Sequence, residues 1–262
     1  MPRRSTPKLN AAVVQAIMAK VGGAPATRNK LLSALKGTAR AAWQLGVMSL
    51  EDCEKIRSVK GDTGARLPKG RDIRPLEIQR LLQACASDKG AAGRRDAAIF
   101  AIAAATGARR AELATLRTEN IRRENGLTII RVIGKRDKER ELYLHNGAQA
   151  ALNDWLDVRG AQGGAVFNPI NKAGSIADAG LTTTAMHKIL AKRATEARIE
   201  NVTLHDFRRT VTGDLLDKGA DIASVASLLG HSSVNTTARY DRRGQRARIA
   251  ASALVSVPYV AA

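Results

Sequence analysis

One pair of short β-rich runs, Thr128–Ile133 and Glu139–Leu144, stands out in a chain whose other apolar residues recur mostly at helical spacing. The five residues between them, GKRDK, read as a hairpin tip carrying Lys135, Arg136 and Lys138. Only 3% of the residues are aromatic against 44% hydrophobic, so Ala, Leu, Ile and Val must fill the core. That composition favours helices. The expected fold is therefore mainly α (α+β), a helical bundle followed by a larger helical domain with a small antiparallel sheet.

At 262 residues the chain has room for one large or two modest domains. Its first 60 residues hold no acid before Glu51, while Arg3, Arg4, Lys8, Lys20, Arg28, Lys30, Lys36 and Arg40 precede it. Helices are expected at about 9–21, 27–45 and 49–59. The second starts at Thr27 and carries Leu31, Leu32, Leu35, Ala39, Ala42 and Trp43 on one side. The third starts at Ser49, with Asp52 completing a capping-box-like pattern. The opening MPRRS and its apolar sequel loosely mimic a secretory signal, but Gln15 breaks the run and the apolar residues keep a helical repeat. A folded first helix is expected. Gly61 to Asp72 reads as a linker, and a second domain begins near Ile73. Helices are expected there from Pro75, over 94–106 up to Gly107, and at about 146–158 and 182–198.

The net charge of +19 and pI near 10.8 argue for a polyanionic partner. No apolar run approaches the ~18–20 residues that span a bilayer, so nucleic acid is the expected partner and a membrane is not. The one-signed N-terminal module reads as a nucleic-acid clamp. Cys53 and Cys85 match no metal spacing and read as buried free thiols of a reducing compartment.

Residues Thr203 to Tyr240 gather phosphate-directed groups. His205 and Arg208 are three apart and share a helix face. Thr203 with Asp206 marks that helix's start. A second helix over Asp221–Gly230 has Ile222, Val225, Ala226 and Leu229 on its apolar side and is stopped by Gly230. His231 follows, and Tyr240 comes nine residues later. Arg109, three residues before Glu112 at another helix start, and Lys135 on the hairpin extend the set. Taken singly, each has an ordinary reading: a salt-bridged Arg109 with Arg110 as rival, Lys138 as rival to Lys135, helix-end histidines, a half-buried Tyr240. His145 and His187 fit no motif.

In order along the chain, ATGARRAEL, VIGKRDKEREL, TLHDFRRT and LLGHSSVNTTARY resemble the four sequence boxes of the tyrosine recombinases, the phage-integrase and Xer-type family. The match covers about residues 66–243. Arg110 stands where that family usually has a small or apolar residue, and Arg209 where histidine is common. The resemblance implies a core-binding DNA clamp with linker over 1–66 and a tyrosine-recombinase catalytic domain over 67–245. It also implies a C-shaped grip on DNA and a simple Xer-like or Cre-like architecture without an extra arm-binding module. The tail, 246–262, is apolar and is expected to exchange between protomers.

What the resemblance implies for the site is metal-free, cofactor-free and ATP-independent strand exchange. A tyrosine hydroxyl, with a solution pKa of ~10, is a poor nucleophile at neutral pH and needs help. Tyr240 would attack the scissile phosphate and hold the 3′ side as a phosphotyrosine. Arg109 and Arg208 would grip the non-bridging oxygens. His205 would take the tyrosine proton, His231 would bond a phosphate oxygen and Lys135 would protonate the departing 5′ oxygen. Glu112 would orient a catalytic side chain or pin its helix. The expected function is site-specific recombination of double-stranded DNA through a Holliday junction. It would be carried out in the cytoplasm by a homo-tetramer on paired sites, with or without an accessory or partner recombinase. The alternatives are a type IB-like topoisomerase or a non-catalytic DNA-binding protein. Tyr240 is expected on a separate helix that could carry it in or out of the site.

Overall fold

The computed structural model describes residues 9–63, 70–134, 138–244, 249 and 252–255. The chain divides into two compact units, Met1–Pro68 and Lys69–Ala262. The first holds α1 (Ala11–Lys20), α2 (Pro25–Gln44) and α3 (Leu50–Arg57). Asn10 caps α1 by accepting from the Val13 N–H at 2.9 Å, and Ser49 caps α3 by accepting from the Asp52 N–H at 3.0 Å. Helix α2 begins two residues before the expected Thr27, because Pro25 fits the first helical position, where no N–H is needed. The core is a narrow seam of Val14, Met18, Leu32, Ala39, Cys53, Ile56 and Val59. Trp43, expected on the apolar side of α2, lies in its last turn beyond that seam and stays 40% exposed. Lys20, Lys30 and Arg40 are exposed on this unit.

The second unit is built round α5 (Ala91–Thr106), which is buried on nearly all sides through Ala98–Ala103. It packs against α4 (Pro75–Ser87), α7 (Asn146–Arg159) and α9 (Leu204–Asp217). Phe100 stacks on Phe207 of α9, ring centroids 6.2 Å apart. Between α4, α5 and α8 (Thr183–Glu196) lies a buried ion cluster: Arg193 donates to Asp96 at 2.8 Å and to Asp88 at 2.5 Å, while Arg95 holds the other Asp96 oxygen at 2.7 Å. Both cysteines are free and buried.

The sheet has three antiparallel strands in the order β1 (Ile121–Glu124), β2 (Leu127–Ile133) and β3 (Glu139–Leu144). The sequence reading contained only β2 and β3. Strand β1, IRRE, is mostly polar and partly or fully exposed, so apolar alternation does not reveal it. Its signal is the turn: Asn125 and Gly126 take φ of 50° and 79° between Glu124 and Leu127, which pair. That is the left-handed pair a two-residue hairpin favours.

Three short helices frame the site. Helix α6 (Arg110–Ala114) follows Gly107, whose φ of 60° ends α5. Helix α10 (Ile222–Leu229) packs Val225 and Leu229 on Val211 and Leu216 of α9. It is closed by Gly230 at φ 64°, after which the His231 N–H donates back to the Ala226 carbonyl at 2.8 Å. Helix α11 (Val234–Ala238) is only five residues long, and Tyr240 sits in the turn just beyond it. The expected exchange tail, 246–262, falls mostly on 246–248, 250–251 and 256–262, outside the described residues.

Candidate active site

The C-terminal end of α10 gathers three arginines. Its last carbonyls and that of the closing glycine each accept one guanidinium N–H: Leu228 from Arg140 at 2.7 Å, Leu229 from Arg208 at 2.6 Å, Gly230 from Arg109 at 2.7 Å. A helix C-terminus leaves such carbonyls unpaired and carries partial negative charge, so cations are favoured there. Gly107 supplies a further carbonyl, which accepts from Arg208 at 3.0 Å. An added Cβ at Gly230 would lie 2.7 Å from Arg140 Cδ, and at Gly107 2.8 Å from Leu229 Cδ2. Both turns need their glycines for space as well as for φ.

Glu112 is the shared counter-charge. It accepts from the Arg109 backbone N–H, from Arg109 Nη1 and from Arg140 Nη2, all at 2.7 Å. Burial alone would raise its pKa, yet Arg140 and Arg109 hold it below the ordinary carboxylate range. One carboxylate faces three guanidiniums, so the cluster keeps a surplus of positive charge. Burial, then Arg109 and Arg140, push the Arg208 guanidinium below its usual range. An incoming anion relieves that repulsion. Each guanidinium has five N–H donors, and Arg109 and Arg208 commit only some of them. Arg110, the rival of Arg109, is exposed and takes no part in this cluster.

The two histidines stand beside the arginines. His205 Nε2 lies 3.2 Å from the Tyr240 hydroxyl. His231 Nδ1 shares a 2.7 Å hydrogen bond with the Thr237 hydroxyl, which is fully buried at the end of α11. The His231 and Tyr240 rings lie 6.4 Å apart and 20° from parallel. Burial, then the arginines, lower both histidines, His231 to about 4. At neutral pH they are uncharged, and each can offer or accept a proton at one ring nitrogen. The Arg209 guanidinium lies over the Tyr240 ring, 5.8 Å from its centroid.

A cleft lined by Arg109, Gly134, Lys138, Arg140, Gly230 and His231 opens beside this cluster. Lys138 is exposed on it. Lys135 falls outside the described residues. The structure thus brings together Arg109, Glu112, His205, Arg208, His231 and Tyr240 from α6, α9, α10 and the turn after α11. Sequence reasoning missed Arg140, and it noted Arg209 only as a departure from the family box, not as the cation over the Tyr240 ring. Arg140 stands in the quoted KEREL segment, but its partners are a backbone carbonyl and a carboxylate 28 residues away, neither legible locally. His145, which precedes the first residue of α7, and His187 are exposed. Among the described residues, no group of three or more His, Cys, Asp or Glu is arranged to hold a metal ion, and no helix is long and apolar enough to cross a membrane.

Residues 71–246 match the model of the phage integrase family. The chain belongs to that family, the tyrosine recombinases. It is 33% identical to tyrosine recombinase XerC of Corynebacterium efficiens over 192 residues, 70% of this chain and 59% of that protein. It is 32% identical to tyrosine recombinase XerD of Listeria monocytogenes over 226 residues, 84% of this chain and 72% of that protein. Its matches to the XerC proteins of the two Corynebacterium species span only about three-fifths of their length, 59% and 61%. Among solved structures, XerH bound to its palindromic difH substrate has the same fold, with a TM-score of 0.72, 23% identity, and coverage of 94% of this chain and 72% of that one. A lambda integrase tetramer on a Holliday junction gives a TM-score of 0.64 at 16% identity, covering 92% of this chain and 69% of that one.

Proposed function

We propose that the chain is a site-specific DNA recombinase that cleaves and rejoins duplex DNA through a 3′-phosphotyrosine and a Holliday junction, without metal or ATP. The observation that carries this reading is the Tyr240 hydroxyl, held 3.2 Å from a neutral His205 at the edge of an arginine cluster short of counter-charge.

In this reading the scissile phosphate enters beside Arg109 and Arg208, whose remaining N–H donors bond its non-bridging oxygens. They bind the pentacoordinate transition state, with its greater negative charge, better than the ground state. His205 takes the phenolic proton as Tyr240 attacks phosphorus. The P–O bond to the 5′ oxygen breaks, and that oxygen leaves with a proton from a lysine of the hairpin. The resemblance gives this role to Lys135; Lys138 lines the cleft. His231, anchored through Thr237, presents its free ring nitrogen to a phosphate oxygen. Glu112 and Arg140 hold Arg109 in place. Because the phosphodiester bond is exchanged for a phosphotyrosine, rejoining runs by the same steps in reverse.

Residues 1–66 are assigned as a DNA clamp, supported by the absence of any acid before Glu51 and by exposed Lys20, Lys30 and Arg40; residues 67–245 are the catalytic domain. The likeness to lambda integrase, solved as a tetramer on a Holliday junction, supports a homo-tetramer on paired duplex sites. The proposed location is the cytoplasm, at the nucleoid. The test is selection from a pool of nicked duplexes with randomised sequence, trapping covalent protein–DNA adducts in detergent with EDTA present. Recovery of one consensus duplex by the wild type, and none by Tyr240→Phe despite retained DNA binding, is expected. Adducts with Tyr240→Phe, or loss of wild-type adducts on chelation, contradict the proposal. Relaxation of any supercoiled plasmid without site dependence favours a topoisomerase instead.

A further inference from the structure

Two residues past Tyr240, Arg242 makes a set of contacts that the reaction does not use. Its Nη1 donates to Asp72 at 2.8 Å, and its Nη2 meets Asp214 at 2.8 Å and Asp217 at 3.2 Å. The guanidinium lies directly on Gly213 of α9: an added Cβ there would sit 2.3 Å from Nη2, 2.6 Å from Cζ and 2.7 Å from Nε. Glycine inside a helix is unfavourable on backbone grounds, so a buried glycine here has a packing reason. Asp72 also accepts from Arg209 at 3.2 Å, and Arg209 lies over the Tyr240 ring. One carboxylate therefore ties the segment just after Tyr240 to the cation that covers its ring.

We propose that Arg242 is a positioning residue: seated on Gly213 and tied to Asp72, Asp214 and Asp217, it holds the Tyr240 turn against α9 so that the hydroxyl faces His205 of the same chain. The functional part of this inference rests on Tyr240 being the nucleophile. Among the described residues, the backbone of the turn makes only local hydrogen bonds. Helix α11 is a single short turn, and the backbone contacts that reach Tyr240 and Asp241 are local, to Thr237 at 2.9 Å and Ala238 at 3.1 Å. Long, exposed ion pairs contribute little, but a planar fork that meets three carboxylates over a surface shaped for it fixes a geometry. Release of this seat frees the nucleophile without touching the phosphate grip.

Gly213→Ala separates the seat from the fold. The added methyl favours the helix, and the atoms it displaces are the end of a flexible side chain. The experiment compares wild type with Arg242→Ala, Arg242→Lys and Gly213→Ala by amide hydrogen exchange of the free protein. Adduct formation is then measured on the duplex recovered by the selection above, at saturating DNA. In Arg242→Ala and Gly213→Ala the amides of 240 and 241 are expected to exchange roughly tenfold faster, with the middle of α9 unchanged. Adduct formation should slow in the same two variants, because only the docked fraction reacts, while the Kd for the duplex stays within about twofold. Arg242→Lys, with charge but no fork, should fall between. Wild-type exchange in both Arg242→Ala and Gly213→Ala overturns the inference. So does slow adduct formation with unchanged exchange, since Arg242 would then act on the reaction and not on the position of Tyr240. A wild type that forms no adduct on any duplex overturns the catalytic reading instead, and the exchange comparison still decides the seat.

Discussion

His231 is uncharged at neutral pH because burial and three arginines lower it from an ordinary ~6.5 to about 4. The sign of the linkage follows. The unfolded chain binds this proton more readily, so the contribution is fully present above about 6.5 and is lost as pH falls towards about 4. A phosphate beside the ring reverses the shift, since a nearby anion favours the imidazolium. By NMR, the His231 ring resonances are expected to titrate near 4 in the free protein. On the bound duplex the midpoint should rise; an unchanged midpoint removes His231 from the phosphate site. Lysine on the hairpin is tested by the leaving group. A sulfur in place of the 5′ bridging oxygen departs as a thiolate and needs no acid. The alanine variant of the true acid should cleave normal DNA about 10²–10⁴-fold more slowly yet cleave the sulfur duplex near the wild-type rate. Lys135→Ala and Lys138→Ala, run side by side, assign the role.

At the scale of elements, the site is organised by the end of α10. Three arginines separated by up to a hundred residues meet on consecutive carbonyls, and the αL turn at Gly230 aims the last of them. Gly230→Ala should destabilise the protein by about 1–3 kcal/mol through φ strain, displace Arg140 and lower adduct formation, measured by denaturant melts and the adduct assay. Unchanged values of both would remove this turn from the account. This organisation also marks where the sequence is legible. His205, Arg208, His231 and Tyr240 are readable because their elements are short, capped and adjacent in sequence: Thr203 and Asp206 start α9, and Gly230 ends α10. Arg109 is readable from its motif. Arg140 and Arg209 are not, because their partners are a carbonyl, a distant carboxylate and a ring face, none encoded by local spacing. Strand β1 is hidden by its polar composition, with Asn125–Gly126 as its only clear trace. Tyr240 was expected on a helix of its own; it lies in a turn after a five-residue helix, so its position depends on side chains such as Thr237 and Arg242.

For the whole molecule, the net charge of +19 sets the salt dependence expected of the proposed DNA binding. Contacts to about 6–10 phosphates make log Kd rise linearly with log salt and cost roughly 10³–10⁵ in affinity between 50 and 200 mM. Fluorescence anisotropy of a labelled duplex across that range is expected to show such a slope for the wild type and for Tyr240→Phe alike, since the hydroxyl adds no charge. A flat salt response would contradict a phosphate-dominated interface. The buried cluster of Arg193, Asp96, Arg95 and Asp88 stands apart from this role and ties α4, α5 and α8 into one frame.

The most direct test of the central claim is to digest the trapped adduct with protease and nuclease and locate the attached nucleotide by mass spectrometry. The account predicts a nucleotide joined through its 3′ phosphate to the Tyr240 side chain, with a free 5′ hydroxyl on the other DNA end. Attachment to any other residue, or a 5′ phosphate linkage to Tyr240, would contradict it.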